Sequence, residues 1–549
     1  MSKIFDENVD KLVIALEEGT RAGKGNVPKF IEPAVGTLSR ALSKRHHIIF
    51  GRRGSGKSSL LFKSADDLAK TGNPVAFIDL EPFKGHHYPD IIISVLIATF
   101  QKYSIWLTTE IEKDRGKRLW YTFFILKKYP ENRSLKLTLQ LEIDQTIIDL
   151  RAQLNLNNDA MLVQRVSEQN KEANDSKFKV GTDMQAAKLE TAVGQTSENT
   201  ISKEVKEEFR RNKQDYLLKK MLDFQHIFAS LYSINNRDSY LFLDDLYHLV
   251  RVDQPDLIDY FHRISKGNNL WLKIGTIRNR TTWYKNTPQP TGVKLGDDAD
   301  EIDLDLTLEK FSLSKSFLKS ILNTYIQEAK APKVDELLTD GAIERLVLAS
   351  GGVTRDFLGL FRRSILEAKE RVNKSGGKSV KGDKISAEDI NIAAGTYGEL
   401  KKDEFQMDAV EDKDRLESAF SRIKQFCLDK TKSNIFLIAQ DASGTEVELI
   451  YELIDLRLIH YVKSRVTISG RKGLIYKGYL LDVSQYTGER TRKDIETIEF
   501  WKDSEKEKLR RASLIYINNG QLRGLKGKEK PSQDDKINAV DEEEIEGHN

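Results

Sequence analysis

Short apolar runs and longer segments of helical period alternate along the first part of the chain. Ile48 to Phe50 reads as a buried strand, and a helix follows it to about Lys70. Pro74 to Leu80 is a second strand, Ser239 to Leu243 a third, and Leu270 to Arg278 a fourth. Strand–helix–strand order predicts a parallel sheet with crossover helices, an α/β fold. Ile143, Ile147, Leu150 and Leu154 recur at i, i+4, i+7 and i+11, the mark of an amphipathic helix. From about 165 to 210 the chain turns polar and loses any apolar stripe, and a core helix is expected from about 214 to 233. Further on, Leu416, Phe420, Ile423 and Phe426 share one helix face within 412–428, and Thr445 to Leu458 forms a second helix. Tyr461–Ile468 and Leu474–Leu481 are strands joined through Ser469-Gly470-Arg471-Lys472-Gly473. A helix followed by a β-hairpin is a winged-helix pattern. A charged helical stretch is expected from Thr491 to about Arg511, then a polar tail carrying Asp541 to Glu544.

Length and composition narrow this picture. At 549 residues the chain has room for about three or four domains. Its 87 basic and 84 acidic residues leave a net charge of +3, so no global field draws it to nucleic acid and any such contact must be local. One cysteine, Cys427, excludes an internal disulfide framework and a cysteine-based zinc site. The longest dense apolar run, Ile91 to Phe100, is too short to span a bilayer, and Met1 to Glu7 lacks the apolar stretch of a signal peptide. The expectation is a cytoplasmic protein without membrane contact.

The densest chemistry lies at Gly51-Arg52-Arg53-Gly54-Ser55-Gly56-Lys57-Ser58-Ser59, which matches G-x-x-x-x-G-K-[ST] between a strand and a helix. Glycines there let backbone N–H groups converge on phosphate oxygens. Lys57 is placed to reach the β- and γ-phosphates, the Ser58 hydroxyl to ligate Mg²⁺, and the helix start adds its positive dipole end. ATP and Mg²⁺ are the expected ligands. The third strand ends in Asp244-Asp245, with Asp244 assigned to the metal and Asp245 to the attacking water. The fourth strand brings Thr276 as a hydrogen-bonding sensor and Arg278 as a charge sensor, if it lies beside the third. Arg251, Arg263 and Arg280 are candidates for a finger acting on a neighbouring subunit. Gly351-Gly352 precedes a helix whose first turn carries Arg355, an arginine set against the helix dipole unless something anionic lies nearby.

This series, Gly51–Ser58, Asp244-Asp245, Thr276, Gly351-Gly352 and Arg355 followed by a winged module, resembles the origin-recognition clade of AAA+ P-loop ATPases. The STAND signalling ATPases are close kin. The resemblance covers about residues 27–100 and 215–485. It implies an ATPase core at 1–105 and 215–300 and a helical lid at 301–405, while the residue pattern between the two core segments reads as a helical and partly disordered insertion at 106–214. It further implies a winged-helix-like domain at 410–512, and the polar, charged composition beyond it reads as a disordered tail at 513–549. It carries Lys57, Ser58, Asp244, Asp245, Thr276 and Arg355 over as nucleotide-site residues. Two departures stand out: Asp245 replaces the usual glutamate, and the interval between Lys57 and Asp244 is much longer than such cores need.

Two functional readings come with the resemblance. One is an ATPase coupling nucleotide state to self-association and DNA-backbone contact; the other is a STAND-like regulatory switch of bacterial antiphage defence acting through a protein partner. A nucleotide-binding structural subunit with little turnover is a third. Charge bears on the DNA question. The second helix of the winged module carries Glu446, Glu448, Glu452 and Asp455 against Arg457, which phosphates would repel. The hairpin carries Lys463, Arg465, Arg471, Lys472 and Lys477, so Arg471 and Lys472 are expected to touch a backbone without reading sequence. The insertion at 106–214 is the expected site for a protein partner.

Overall fold

Apolar runs without polar alternation belong in the middle of a parallel sheet, covered on both faces. Strands β1 (His47–Phe50), β3 (Ser239–Asp244) and β4 (Leu270–Thr276) take those places, with β2 (Val75–Asp79) and β5 (Asp300–Asp303) at the edges. The order is β2-β3-β4-β1-β5, and every pairing is parallel. Register aligns the strand ends along one rim: Asp79 lies opposite Asp244, and Phe50 opposite both Thr276 and Asp303. The computed structural model describes residues 3–20, 29–121, 131–155, 187–374, 382–408, 413–471, 473–488 and 494–516. They fall into two compact units. One comprises Met1–Leu306, Lys315–Ile343 and Gly352–Ser386; the other comprises Thr307–Ser314, Glu344–Gly351 and Ala387–Asn549.

The first unit packs helices on both faces of the sheet. Alternate residues of each strand point to opposite sides. Ile49, Tyr240 and Phe242 meet Leu60, Leu61 and Leu68 of helix α1 (Lys57–Lys70). Ile48, Leu241 and Leu243 meet Ile92, Val95 and Leu96 of helix α2 (Asp90–Tyr121). The Tyr103 hydroxyl of α2 donates to the Tyr240 carbonyl at 2.9 Å, fastening that helix to the sheet. Helices α3 (Glu131–Leu154) and α4 (Ala187–Asn235) bury Ile143, Ile147, Leu150, Phe224, Phe228 and Leu231 in the same cluster.

Three boundaries differ from those the sequence pattern predicts. Glu301–Asp303, placed by the resemblance in a lid, is the last part of β5. An edge strand reading Asp-Glu-Ile-Asp has one apolar residue, the buried Ile302, and so leaves no hydrophobic run to recognise. Position 106, the expected start of an insertion, lies within the unbroken α2, whose Tyr103, Leu107 and Ile111 are all buried. The core helix expected from about 214 begins far earlier, at Ala187. The polar stretch at 156–186 and the tail from 517 lie outside the described residues.

In the second unit, helices α5 (Ala387–Asp408) and α6 (Lys413–Gln425) precede β6 (Ile435–Ala439). Helix α7 (Thr445–Asp455) and strands β7 (Ile459–Val466) and β8 (Tyr476–Leu481) follow. The three strands form an antiparallel sheet in the order β6-β8-β7. β6 is an addition to the expected elements, since a five-residue apolar run cannot be told from a helix segment by period alone. Residues 513–516, expected to open the tail, are packed: Ile515 bridges to Leu437, and the Tyr516 N–H donates to the Leu437 carbonyl at 2.8 Å. The charged segment Asp503–Arg510 is a 3₁₀ helix, whose three-residue turn eclipses Asp503 with Lys506, Glu505 with Lys508 and Glu507 with Arg510.

At the rim opposite the loop after β1, the buried Lys273 ammonium donates to the Ser43 and Arg45 carbonyls and faces His47 Nδ1 at 3.0 Å. Burial, with Lys273 and Arg40 nearby, pushes His47 down to about 3. Burial, with His262 and Lys273, pushes His46 down to about 4. Both pKa values lie below that of the unfolded chain, which therefore takes up protons first as the pH falls below about 6.5. Stability is accordingly lost from about pH 6.5 toward 4, by at most about 1.4 kcal/mol per pH unit for each histidine. The substitution His47→Asn should flatten that loss, as read by thermal unfolding at a series of pH values.

Candidate functional site

The loop between β1 and α1 is held from several directions. Its first N–H, at Gly51, donates to the Thr276 carbonyl at 3.2 Å. Arg52 turns inward and is almost fully buried. Its backbone N–H and Nε both donate to Asp305 Oδ1, at 2.9 and 3.2 Å. Gly54 has φ +83°, and a Cβ there would sit 2.6 Å from the Cβ of Arg355. The Arg355 N–H donates to the Gly54 carbonyl at 3.2 Å, so helix α8 (Thr354–Lys374) starts directly on the loop.

A cavity of about 210 Å³ opens over this loop and the start of α1. Arg53, Gly54, Gly56, Lys57, Ser58 and Ser59 line it from the loop, Asp245 from the end of β3, and Arg355 from α8. Three cationic side chains therefore face one hollow at a helix N-terminus, an arrangement suited to an anion. Lys57 is buried, and its Nζ donates to the Arg52 carbonyl at 3.3 Å. Burial lowers its pKa, while Asp245, Asp244 and Asp305 act to keep the ammonium charged and Arg355 opposes them.

Asp244 ends β3 against this loop. Burial pushes its carboxyl up to about 7, with Asp245 adding to the rise and a hydrogen bond to the Ser58 side chain opposing it. Room for that carboxylate depends on Gly275 of β4, where a Cβ would lie 2.7 Å from Asp244 Oδ1 and 2.7 Å from Leu61 Cδ1. The facing oxygens of Ser58 and Asp244 are the donors a hard divalent cation takes. No group of three or more His, Cys, Asp or Glu among the described residues could hold a metal, so a cation here must draw its other ligands from elsewhere. A loosely held oxygen pair beside an anion cavity fits Mg²⁺ shared with phosphates.

Other expected site residues lie apart from the cavity. Thr276 is fully buried at the end of β4, and its hydroxyl pairs with that of Thr281. Arg278, expected beside the nucleotide, bridges Glu301 at 3.0 Å and Asp303 at 3.4 Å and lies 4.0 Å over the Phe50 ring. Its carboxylate partners belong to the edge strand that the hydrophobic pattern does not reveal. Ser55 packs against Gly51, and its buried hydroxyl has no hydrogen-bond partner.

Residues without a sequence motif complete the lining. Gly19 and Thr20 come from the end of the N-terminal helix Glu7–Gly19, which is fastened to α8 by the Glu17–Arg362 and Asp10–Lys369 ion pairs. Tyr247 and His248 follow Asp245, and Glu81 follows β2. Only the β2–β3 register, with Asp79 opposite Asp244, could have pointed to Glu81. A smaller hollow of about 90 Å³ adjoins, walled by Phe30, Ile31, Phe317, Ile321, Tyr325 and Leu358.

The five-stranded parallel sheet with its flanking helices fits a P-loop ATPase core. No family model matches the sequence, and no curated protein does. Among solved structures, the chain is similar to the Walker-type ATPase PABY2304 of Pyrococcus abyssi, at 14% identity and a TM-score of 0.33, over 82% of this chain and 92% of that one. It is also similar to the Aeropyrum pernix Orc1 protein in complex with DNA, at 12% identity and TM-score 0.30, over 83% and 91%. A Thermotoga maritima RuvB variant matches at 16% identity and TM-score 0.20, over 38% of this chain and 56% of that one. At such scores these likenesses carry no functional weight, and the chemistry of the site is read from the residues of this chain.

The substitution Gly275→Ala should displace either Asp244 or Leu61, and overpacking of this kind costs about 1–3 kcal/mol. Chemical denaturation checks the loss.

Proposed function

We propose that the chain binds ATP with Mg²⁺ at the loop after β1 and hydrolyses it. The observation that carries this reading is the cavity in which Lys57, Arg53 and Arg355 converge at the start of α1, with the Ser58–Asp244 pair at its edge. Lys57 and the loop N–H groups bind the phosphates, and Arg355 adds charge from α8. The adjoining apolar hollow receives the base. Ser58 and Asp244 hold the metal ion, which supplies neutralising charge for the phosphate oxygens when bound. Asp245, one residue beyond, keeps Lys57 charged. Thr276 acts on the nucleotide through its carbonyl contact with Gly51 rather than as a direct sensor.

The finer part of the proposal concerns the second unit. Its helix–strand–helix–hairpin order is read as a winged module that couples nucleotide state to assembly and to contact with a DNA backbone. Support comes from the hairpin, where Arg465 is exposed and Arg471 stands at the tip. The neighbouring α7 is less acidic outward than its composition suggests. Glu446 is buried, bonded to Arg422 and accepting from the Tyr516 hydroxyl, and Asp455 is buried too. Lys472, the other expected backbone contact, lies outside the described residues.

Two measurements test these statements. Lys57→Ala should abolish saturable ATP binding, and Asp244→Asn should remove its dependence on Mg²⁺ while leaving the fold intact. Isothermal titration with and without Mg²⁺ reads both, and equal ATP affinity in wild type and Lys57→Ala refutes the site. For the second unit, Arg471→Glu combined with Lys472→Glu should weaken binding to a labelled duplex at least about tenfold and lower its salt dependence. Fluorescence anisotropy across a salt series measures it, and unchanged binding removes the DNA contact from the proposal.

A further inference from the structure

Two carboxylates outside the metal pair line the cavity, Asp245 and Glu81. We propose that Glu81 polarises the water that attacks the γ-phosphate, the task which the order of residues along the chain would give to Asp245. The inference rests on the ATP-hydrolysing reading of the same site.

The sheet explains how Glu81 comes to be there. β2 and β3 run parallel in register, so their acidic ends, Asp79 and Asp244, stand side by side. The Leu80 N–H continues the ladder by donating to the Asp244 carbonyl at 3.1 Å. The chain then turns through the short 3₁₀ segment Glu81–Phe83, and the Glu81 N–H is capped by Asp79 Oδ1 at 3.0 Å. Pro82 fixes the next backbone angle. Glu81 is thereby held at the rim, close to the metal-pair strand yet on a different one. It shares the cavity with Arg53, Lys57, Ser58 and Arg355. Its side chain is exposed and makes no ion pair among the described residues, so nothing there competes for the carboxylate.

Asp245 is differently engaged. It sits in the left-handed region at φ 57° and ψ 44°, with its N–H donated to Asp244 Oδ1 at 3.0 Å. It is also the strongest of the charges that keep Lys57 protonated. The aspartate side chain is also one methylene shorter than that of glutamate. Glu81 combines reach with freedom.

The step balances without any further reactant. The water oxygen bonds to the γ-phosphorus as the bond from that phosphorus to the β–γ bridging oxygen breaks. The bonding pair leaves on the β-phosphate of ADP. The water proton passes to the Glu81 carboxylate and from there to the departing phosphate, which regenerates the base.

The test uses the full chain, a fluorescent ATP analogue with Mg²⁺ for affinity, and release of inorganic phosphate for turnover. Glu81→Gln should keep the affinity of wild type or exceed it, since a negative charge near the phosphates is removed, while phosphate release falls about 10²-fold or more. It should also remove the acidic limb of the pH–rate profile, and Glu81→Asp should restore part of the rate. Asp245→Asn should instead weaken analogue affinity, since it removes the strongest of the charges that support the Lys57 ammonium. Phosphate release by Glu81→Gln within about threefold of wild type overturns the proposal. So does wild-type protein that binds the analogue but releases no phosphate, an outcome that leaves the binding reading standing. If wild type and Lys57→Ala bind the analogue alike, the ATP reading itself fails and the assignment of Glu81 falls with it.

Discussion

A lysine ammonium buried in the wall of a cavity of about 210 Å³ is the constraint around which the first unit is arranged. Taking a cation out of water is costly unless charge and hydrogen bonds replace the lost hydration. Lys57 receives one backbone carbonyl, from Arg52, and the fields of Asp245, Asp244 and Asp305. Those three aspartates come from two places far apart in sequence, the end of β3 and the chain just past β5. The loop can therefore hold its lysine only when β1 is flanked as the sheet order requires, with β4 and β3 on one side and β5 on the other. Asp305 serves twice, since it also takes both the N–H and the Nε of Arg52. An arginine that would otherwise compete for phosphate is thereby turned into a brace for the loop.

The same economy governs the small residues. Gly54 lets α8 begin against the loop, which places Arg355 beside Lys57, and Gly275 leaves space where Asp244 and Leu61 crowd against β4. Arg355 pushes Lys57 toward neutrality, and its position at a helix start is unfavourable without an anion. Three like charges held together by packing are strained until a polyanion arrives.

Local signals sufficed for one part of this site and failed for another. Gly51–Ser59 and Asp244-Asp245 were legible because each is a contiguous motif attached to a strand with a full apolar run. β5 was not, because an edge strand with acid at both faces looks like a loop, and Arg278 was misplaced as a result: its partners Glu301 and Asp303 are on that strand. Glu81, Gly19 and Thr20 reach the cavity through strand register and helix docking, which no short window of sequence contains. In the second unit the hairpin was legible from its alternation and glycine turn. Glu446 counts as an outward charge in the sequence although it is buried on Arg422 and Tyr516, because composition counts charges without regard to direction. Period and motif thus report on elements, and register reports on sites.

Comparison among the buried lysines separates a functional cation from a structural one. Lys273 spends its ammonium on two carbonyls and the Nδ1 of His47, which matches its three donors. Lys401, in the second unit, meets Asp482 at 2.7 Å. Burial alone would raise the Asp482 carboxyl, yet Lys401 and His460 hold it well below the usual range, and Ser484 donates to its other oxygen. Both lysines are complete within the fold, and each closes a local network that a ligand could only disrupt. Lys57 is buried as deeply but makes one hydrogen bond among the described residues, and a long one. Its aspartates supply field without filling its donors. An ammonium whose charge is supported while most of its hydrogens are left unused is poised for an outside acceptor, and the cavity beside it opens onto the N-terminus of α1, where an anion is best bound. The incomplete coordination of Lys57, more than the glycine motif around it, is what supports the proposal of a binding site at this loop.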